Sequence, residues 1–251
     1  MNNFREKLKV RDLNDREARQ TYEKFVLEQE EQFILFINYL NQYINELKKK
    51  EIISKSFRFY ARVKATNSAL KNYNKKALDD VFGIECICAT EREISILQQL
   101  LERLVKTHKI KPHNKENGYK AIHHFCSIRK EVIDRLNEIL VRQKKEEKCE
   151  EQFPTVEIQY KTEEVYHKAI SGTASHEKYK DTKLPQIQAL YDANILTVGE
   201  YIPYMWVSNP KEDDAIEMTI EEVLKKMYPS LKIKEKEEKK TTQSEECEIG
   251  R

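Results

Sequence analysis

The chain has 251 residues, with 45 Lys and Arg against 43 Asp and Glu for a formal net charge of +2, and is 39% hydrophobic and 35% charged. That length and polarity support one large domain, or one domain with helical decoration. No apolar run approaches the ~18 residues needed to span a bilayer, and the opening MNNFREKLKV has no signal-peptide core. A cytoplasmic protein is therefore expected, its five scattered cysteines reduced rather than bridged or bound to zinc.

The small net charge hides segregation. Residues 51–76 carry seven cations against Glu51 alone, and residues 101–130 carry eight against two acids. Two basic islands on an acidic background point to an anionic ligand at a defined place, against the simpler reading of two solvated faces.

Residues 12–50 read as one long amphipathic helix, with Phe33, Phe36, Ile37, Leu40, Tyr43, Ile44 and Leu47 at three- and four-residue spacing. From Phe57 to Ala65 the period changes to two. Phe59, Ala61 and Val63 fall on one face, and Arg58, Tyr60, Arg62 and Lys64 on the other, a cationic strand suited to polyphosphate. Val81–Ala89 is apolar on both faces, as a central strand is. Ile94, Leu97, Leu101 and Leu104 mark a helix ending near His108, and residues 109–120, with Pro112 and Gly118, read as a basic loop. A strand at 121–128, a helix at 130–142, an exposed charge cluster at 142–152 and an alternating strand at 155–162 follow. Helices are expected over 163–180 and 185–195, then over 220–228 behind the capping box Thr219–Glu222. The tail from Lys232 has almost no apolar residues and reads as disordered. This order predicts a mixed sheet flanked by helices.

The five glycines form neither a Walker nor a Rossmann phosphate loop, and the six histidines show no metal-binding spacing. Cys86 and Cys88 share a face of a buried strand and read as core. What remains is polar residues at strand positions: Asp79 and Asp80 before the apolar strand, and Glu157 within another. Each alone suits a cap or a solvent-facing edge. Together, beside two cationic islands, they suit Mg²⁺ and polyphosphate, since Mg²⁺ commonly takes one or two carboxylates and completes its shell with phosphate and water.

The order of motifs adds a resemblance. Arg62-Val-Lys64 with Ser68 and Lys71 is followed by Asp80-Val-Phe-Gly83-Ile84, then by Lys115-Glu-Asn117-Gly118-Tyr119 with His123. Val156-Glu157-Ile158-Gln159 and Gly172-Thr-Ala-Ser-His176 complete the series. Over about residues 55–181 the chain resembles the synthetase domain of the RelA/SpoT family, of the small alarmone synthetase type. The resemblance implies a nucleotidyltransferase-like α/β fold with an N-terminal helical extension (1–54), a core (55–181), a C-terminal helical extension (182–231) and a charged tail (232–251). It implies transfer of the β,γ-pyrophosphate of ATP to the 3′-hydroxyl of GDP or GTP with Mg²⁺, without a hydrolase domain. Asp80 and Glu157 would be the catalytic and metal-binding carboxylates. Arg58, Arg62, Lys64, Ser68 and Lys71 would hold ATP. Lys115, Asn117, Tyr119, His123, Gln159 and His176 would serve the acceptor nucleotide, Tyr119 by stacking.

Departures from the pattern are Glu85 where the family usually has Arg after Gly-Ile, Asn114 for its Pro, Lys161 for its Arg, and Ile170 for its Glu. Two alternatives stay open: a toxin-type relative that pyrophosphorylates tRNA 3′ ends or adenosine nucleotides, and a non-catalytic nucleotide sensor. Many such relatives are homotetramers and others monomers, so a homo-oligomer is open as well.

Overall fold

The computed structural model describes residues 14–71, 80–114, 120–142, 155–171 and 183–233. The first helix, α1 (Asp15–Lys49), starts where Asn14 and Glu17 form a reciprocal capping box. That box satisfies two of the backbone N–H groups a helix start leaves without partners. Its buried stripe, from Ala18 through Phe33, Phe36, Ile37 and Leu40 to Leu47, covers one face of a sheet. No helix among the described residues is long and apolar enough to cross a membrane.

The sheet has seven strands in the order β3-β4-β5-β2-β1-β6-β7. They are β1 (Arg58–Val63), β2 (Phe82–Cys88), β3 (Val105–Asn114), β4 (Lys120–Ile128), β5 (Val156–Thr162), β6 (Tyr204–Val207) and β7 (Ile216–Glu217). β2 pairs in parallel with β5 and antiparallel with β1, so the sheet is mixed and β2 central, as its near-continuous apolarity predicts. The covered face carries Phe59, Ala61, Val63, Phe82, Ile84, Cys86, Val156, Ile158 and Tyr160. These pack with α1, α3 (Glu91–Leu101) and α4 (Lys130–Arg142) into the main core. Cys86, Cys88 and Cys126 are buried free thiols, and burial pushes Cys126 up to about 12, leaving it inert.

Three expectations need correction. The basic loop expected at 109–120 is largely strand: β3 runs to Asn114, and the helix before it stops at Leu101. Pro112 is tolerated because β3 is an edge strand, where a missing N–H breaks no inner ladder. The segment 182–231 is not purely helical, since besides α6 (Leu184–Asp192) and α7 (Ile220–Met227) it supplies β6 and β7. Nor is the N-terminal helix a mere extension, because nine of its side chains are buried in the main core. The expected charge cluster at 142–152 and the tail lie, beyond residues 142 and 233, outside the described residues. The helix expected over 163–180 is described as α5 (Glu163–Ser171).

A second, smaller core joins Ile187, Leu196, Ile202, Met205, Val223, Leu224, Tyr228 and Leu231. It is tied to the first through β6, which pairs with β1, and through α1. Asn41 Nδ2 donates to the carbonyls of Glu212 and Asp213 at 2.9 and 2.8 Å, and its Oδ1 accepts from Asn209 N at 2.9 Å. Asn45 Nδ2 donates to Asn209 O at 2.9 Å, and Asn38 Oδ1 accepts from Ala215 N at 3.0 Å. Three asparagines on one helical stripe thus bond the backbone of the β6–β7 loop, including that of the buried Asn209.

Phe33 is fully buried, its ring 4.9 Å from that of Phe82 on β2 and 6.3 Å from that of Trp206 on β6. Phe33→Ala removes the side chain that joins α1 to both. It should lower unfolding free energy by about 3–5 kcal/mol, read from the shift in midpoint of urea denaturation at unchanged slope.

Candidate active site

The face of the sheet opposite α1 carries the chemistry. Register aligns Arg62 with Gly83 and Tyr60 with Glu85 across β1 and β2. It aligns Gly83 with Glu157, Glu85 with Gln159 and Ile87 with Lys161 across β2 and β5, and Gln159 with His123 across β5 and β4. Alternation therefore puts Tyr60, Arg62, Gly83, Glu85, Glu157, Gln159, Lys161 and His123 on one side of four adjacent strands.

Glu157 stands at the centre, 5% exposed. A carboxylate that deep needs partners, and three side chains supply them. One oxygen lies 2.7 Å from His123 Nδ1; the other accepts from Gln159 Nε2 at 2.9 Å and has Arg62 Nη2 at 3.8 Å. Burial alone would raise its pKa, but the bonds from His123 and Gln159 and the Arg62 charge outweigh that and hold it below the usual carboxylate range. Glu157 is therefore ionised at neutral pH. Arg62 can cross to it because Gly83 lies beneath: a Cβ there would stand 3.1 Å from Arg62 Nε. The neighbouring His124 points the other way. It is buried against Tyr160 Oη at 3.2 Å and Thr107 Oγ1 at 2.8 Å, and burial keeps its pKa low. Of the two adjacent histidines, His124 is structural and His123 faces the site.

A cleft of about 260 Å³ opens beside this centre, lined by Arg62, Lys64, Ser68 and Gln159 among others. At the Lys64 end, Lys64 Nζ bonds Asp80 Oδ2 at 2.6 Å, and Tyr22 of α1 donates to the Lys64 carbonyl at 2.5 Å, fixing the strand end. Ser68 sits in the short helix α2 (Thr66–Leu70) that follows β1. Lys71 caps that helix and does not line the cleft. Arg58 is also elsewhere, 3.5 Å from Glu163 and over the Tyr166 ring of α5. Asp79, Lys115, Asn117, Tyr119 and His176 lie outside the described residues.

Sequence reasoning missed the groups around Glu85. Lys161 Nζ bonds one of its oxygens at 2.6 Å and Lys226 Nζ, from α7, bonds the other at 2.8 Å. Lys226 also donates to Tyr166 Oη at 3.3 Å and lies 3.9 Å from the centroid of the Tyr60 ring. The anion where the resemblance leads one to expect a cation is thus overcompensated by two ammonium groups. Against the upward push of burial, they hold the Glu85 carboxyl far below the usual carboxylate range.

No group of three or more His, Cys, Asp or Glu among the described residues is arranged as a protein-only metal site. The hard oxygens of Asp80 and Glu157 do suit a cation that takes one or two carboxylates and fills its shell with phosphate and water, as Mg²⁺ does.

The Glu85 cluster generates a pH expectation. A carboxyl depressed in the folded state stabilises the fold above its ordinary pKa of about 4.3, and that stability is lost as pH falls below it. Wild-type protein should lose unfolding free energy steeply below about pH 4.5. Glu85→Gln, less stable at neutral pH because Lys161 and Lys226 lose the carboxylate they share, should show a shallower acid slope in denaturant titrations.

No protein-family profile matches the chain, and no curated protein matches it. Among solved structures it is similar to small alarmone synthetase 1 from Bacillus subtilis, with 17% identity, 70% of this chain and 82% of that one covered, and a TM-score of 0.43. Against the same synthetase bound to its product pppGpp the figures are 20%, 70%, 92% and 0.48. Against small alarmone synthetase 2 from Bacillus subtilis they are 15%, 66%, 80% and 0.39. Identities of 20% or less and TM-scores of 0.48 or less bear on neither activity nor substrate.

Proposed function

We propose that the chain transfers the β,γ-pyrophosphate of ATP to the 3′-hydroxyl of GDP or GTP, with Mg²⁺ as cofactor. The observation that carries this reading is the convergence of Arg62, His123 and Gln159 on the buried, ionised Glu157 beside a cleft lined by Lys64, which is itself paired with Asp80. In this reaction the acceptor oxygen bonds to the β-phosphorus, the bond from that phosphorus to the α-phosphate bridging oxygen breaks, and AMP leaves. Such chemistry depends on positioning and charge neutralisation more than on covalent help from the protein.

Each residue then has a role that its surroundings allow. Arg62 and Lys64 neutralise donor phosphates, with Ser68 a hydroxyl donor at the same end. Glu157, pinned by His123 and Gln159, accepts the hydrogen bond of the attacking 3′-hydroxyl and takes its proton as the bond forms. Asp80 and Glu157 would hold Mg²⁺, which supplies charge neutralisation on the transferred phosphates when bound. Lys115, Asn117 and Tyr119 are proposed for the acceptor base on the motif order alone.

The deciding experiment uses γ-labelled ATP with GMP, GDP, GTP, no acceptor, or deacylated tRNA, and asks where the label lands. Label is expected on GDP or GTP. Label on tRNA alone, falling steeply with salt as phosphate contacts release counterions, would overturn the acceptor assignment. No label on any acceptor would overturn the enzyme reading. In the active reaction, Glu157→Gln and Asp80→Asn should each cut turnover by about 10²–10³-fold while circular dichroism and melting stay close to wild type.

A further inference from the structure

His123 has a neighbour on the edge strand that belongs to none of the motif groups. Register sets Lys111 of β3 opposite His123 of β4, and His113 opposite Ala121. Alternation therefore places both Lys111 and His113 on the face that carries Glu157. The Lys111 ammonium turns to the Phe125 ring, 5.6 Å from its centroid. Ala121 has only a methyl group to offer the residue opposite, and diagonal neighbours on a strand pair are within reach of aromatic side chains. The His113 ring takes that diagonal: its centroid lies 4.1 Å from that of His123, the planes tilted by 43°.

The contact matters because of what the His123 ring must do. Its Nδ1 lies 2.7 Å from a Glu157 oxygen. An ionised carboxylate only accepts, so the proton of that bond sits on Nδ1, since the partner of a ring nitrogen decides the tautomer. The outer torsion of a histidine side chain has broad, roughly two-fold wells. Half a turn about it would bring a ring carbon against the carboxylate instead. Strand pairing cannot prevent that turn, whereas packing against the ring can. Pro112, next to His113, adds stiffness by fixing one backbone torsion of β3. Burial pushes Glu157 towards its neutral form, and the His123 hydrogen bond is the largest influence against it.

We propose that His113 is a positioning residue, whose ring holds His123 in the orientation and tautomer that present Nδ1–H to Glu157. With one Glu157 oxygen so fixed, the carboxylate keeps a constant direction towards an incoming hydroxyl. The consequence for turnover rests on the pyrophosphate-transfer reading. The consequence for the His123 ring does not.

The test reads that ring directly, by long-range proton–nitrogen NMR of the full chain with nitrogen-labelled histidine, near neutral pH and without nucleotide or Mg²⁺. Signals lost in His123→Ala identify the residue. Wild type should show a single His123 form, protonated at Nδ1. His113→Ala and His113→Thr, the latter keeping a strand-favouring residue, should each populate the Nε2–H form as well. His113→Phe returns a ring to the position and should return the single Nδ1–H form. His113 is half-buried and outside both cores, so these changes spare the fold. In the transfer reaction the two ringless variants should lower kcat by about three- to tenfold, the worth of one ring pair. KM for ATP should hold, because Arg62 and Lys64 are untouched, and His113→Phe should recover kcat. A wild-type His123 protonated at Nε2 alone, an unmixed Nδ1–H form in both ringless variants, or no restoration by His113→Phe would overturn the proposal. If the ring behaves as expected but no acceptor is ever labelled, the transfer reading falls and the positioning role stands. If an acceptor is labelled while the His123 ring is indifferent to His113, the positioning role falls and the transfer reading stands.

Discussion

The site depends on one glycine-sized gap in the central strand. Arg62, Gly83 and Glu157 occupy matching positions on three adjacent strands, with Gly83 in the middle. Without a side chain there, the Arg62 guanidinium can lie across β2 and come within 3.8 Å of the Glu157 carboxylate. A Cβ would meet its Nε at 3.1 Å, so the Arg62 side chain would have to shift to make room. Coulomb energy falls with distance and with the surrounding dielectric, so moving the cation outward weakens its hold on a buried carboxylate. The Arg62 share of the hold on Glu157, added to the larger shares of His123 and Gln159, depends on that empty position, and Gly83 also lines the cleft.

Much of this was legible in the sequence because it is local. Period-two alternation gave β1 its apolar and cationic faces, and the continuous apolarity of β2 announced a central strand. The pairing of Glu157 with His123 could be named only as two members of a motif series, since strand register is a long-range fact. Where the sequence misled, the reason is physical. Pro112 signals a break in most settings, but on an edge strand it removes an N–H that no neighbour needed. β6 and β7 are four and two residues long, too short for a periodic pattern to show. Glu85 looked like a lost cation because one of its two neutralising lysines, Lys226, lies 141 residues further on and carries no local mark.

The two cores divide the work. The larger one, under α1, buries the aromatic and aliphatic mass and leaves the opposite face of the sheet free to carry charge. The smaller one, behind β6 and α7, buries much less but sets Met205, Lys226 and Met227 in the lining of the cleft. An open charged face is costly for a sheet unless its ions are paired, and here they are: Lys64 with Asp80, Arg62 with Glu157, and Lys161 and Lys226 with Glu85.

The asparagine stripe of α1 has a consequence for when the cleft exists at all. Asn41 bonds backbone groups 171 and 172 residues downstream, and Asn45 reaches 164 and 167 residues downstream. Contacts of such sequence separation close late, because the intervening chain must be ordered first. During synthesis the helix and central strands emerge early, while the loop that α1 clasps and the lysine that neutralises Glu85 emerge near the end. A chain that has emerged only as far as β5 therefore has Lys161 against Glu85 but not yet Lys226. The lining of the cleft is complete only when Lys226 and Met227, near the C-terminal end of the described residues, are in place.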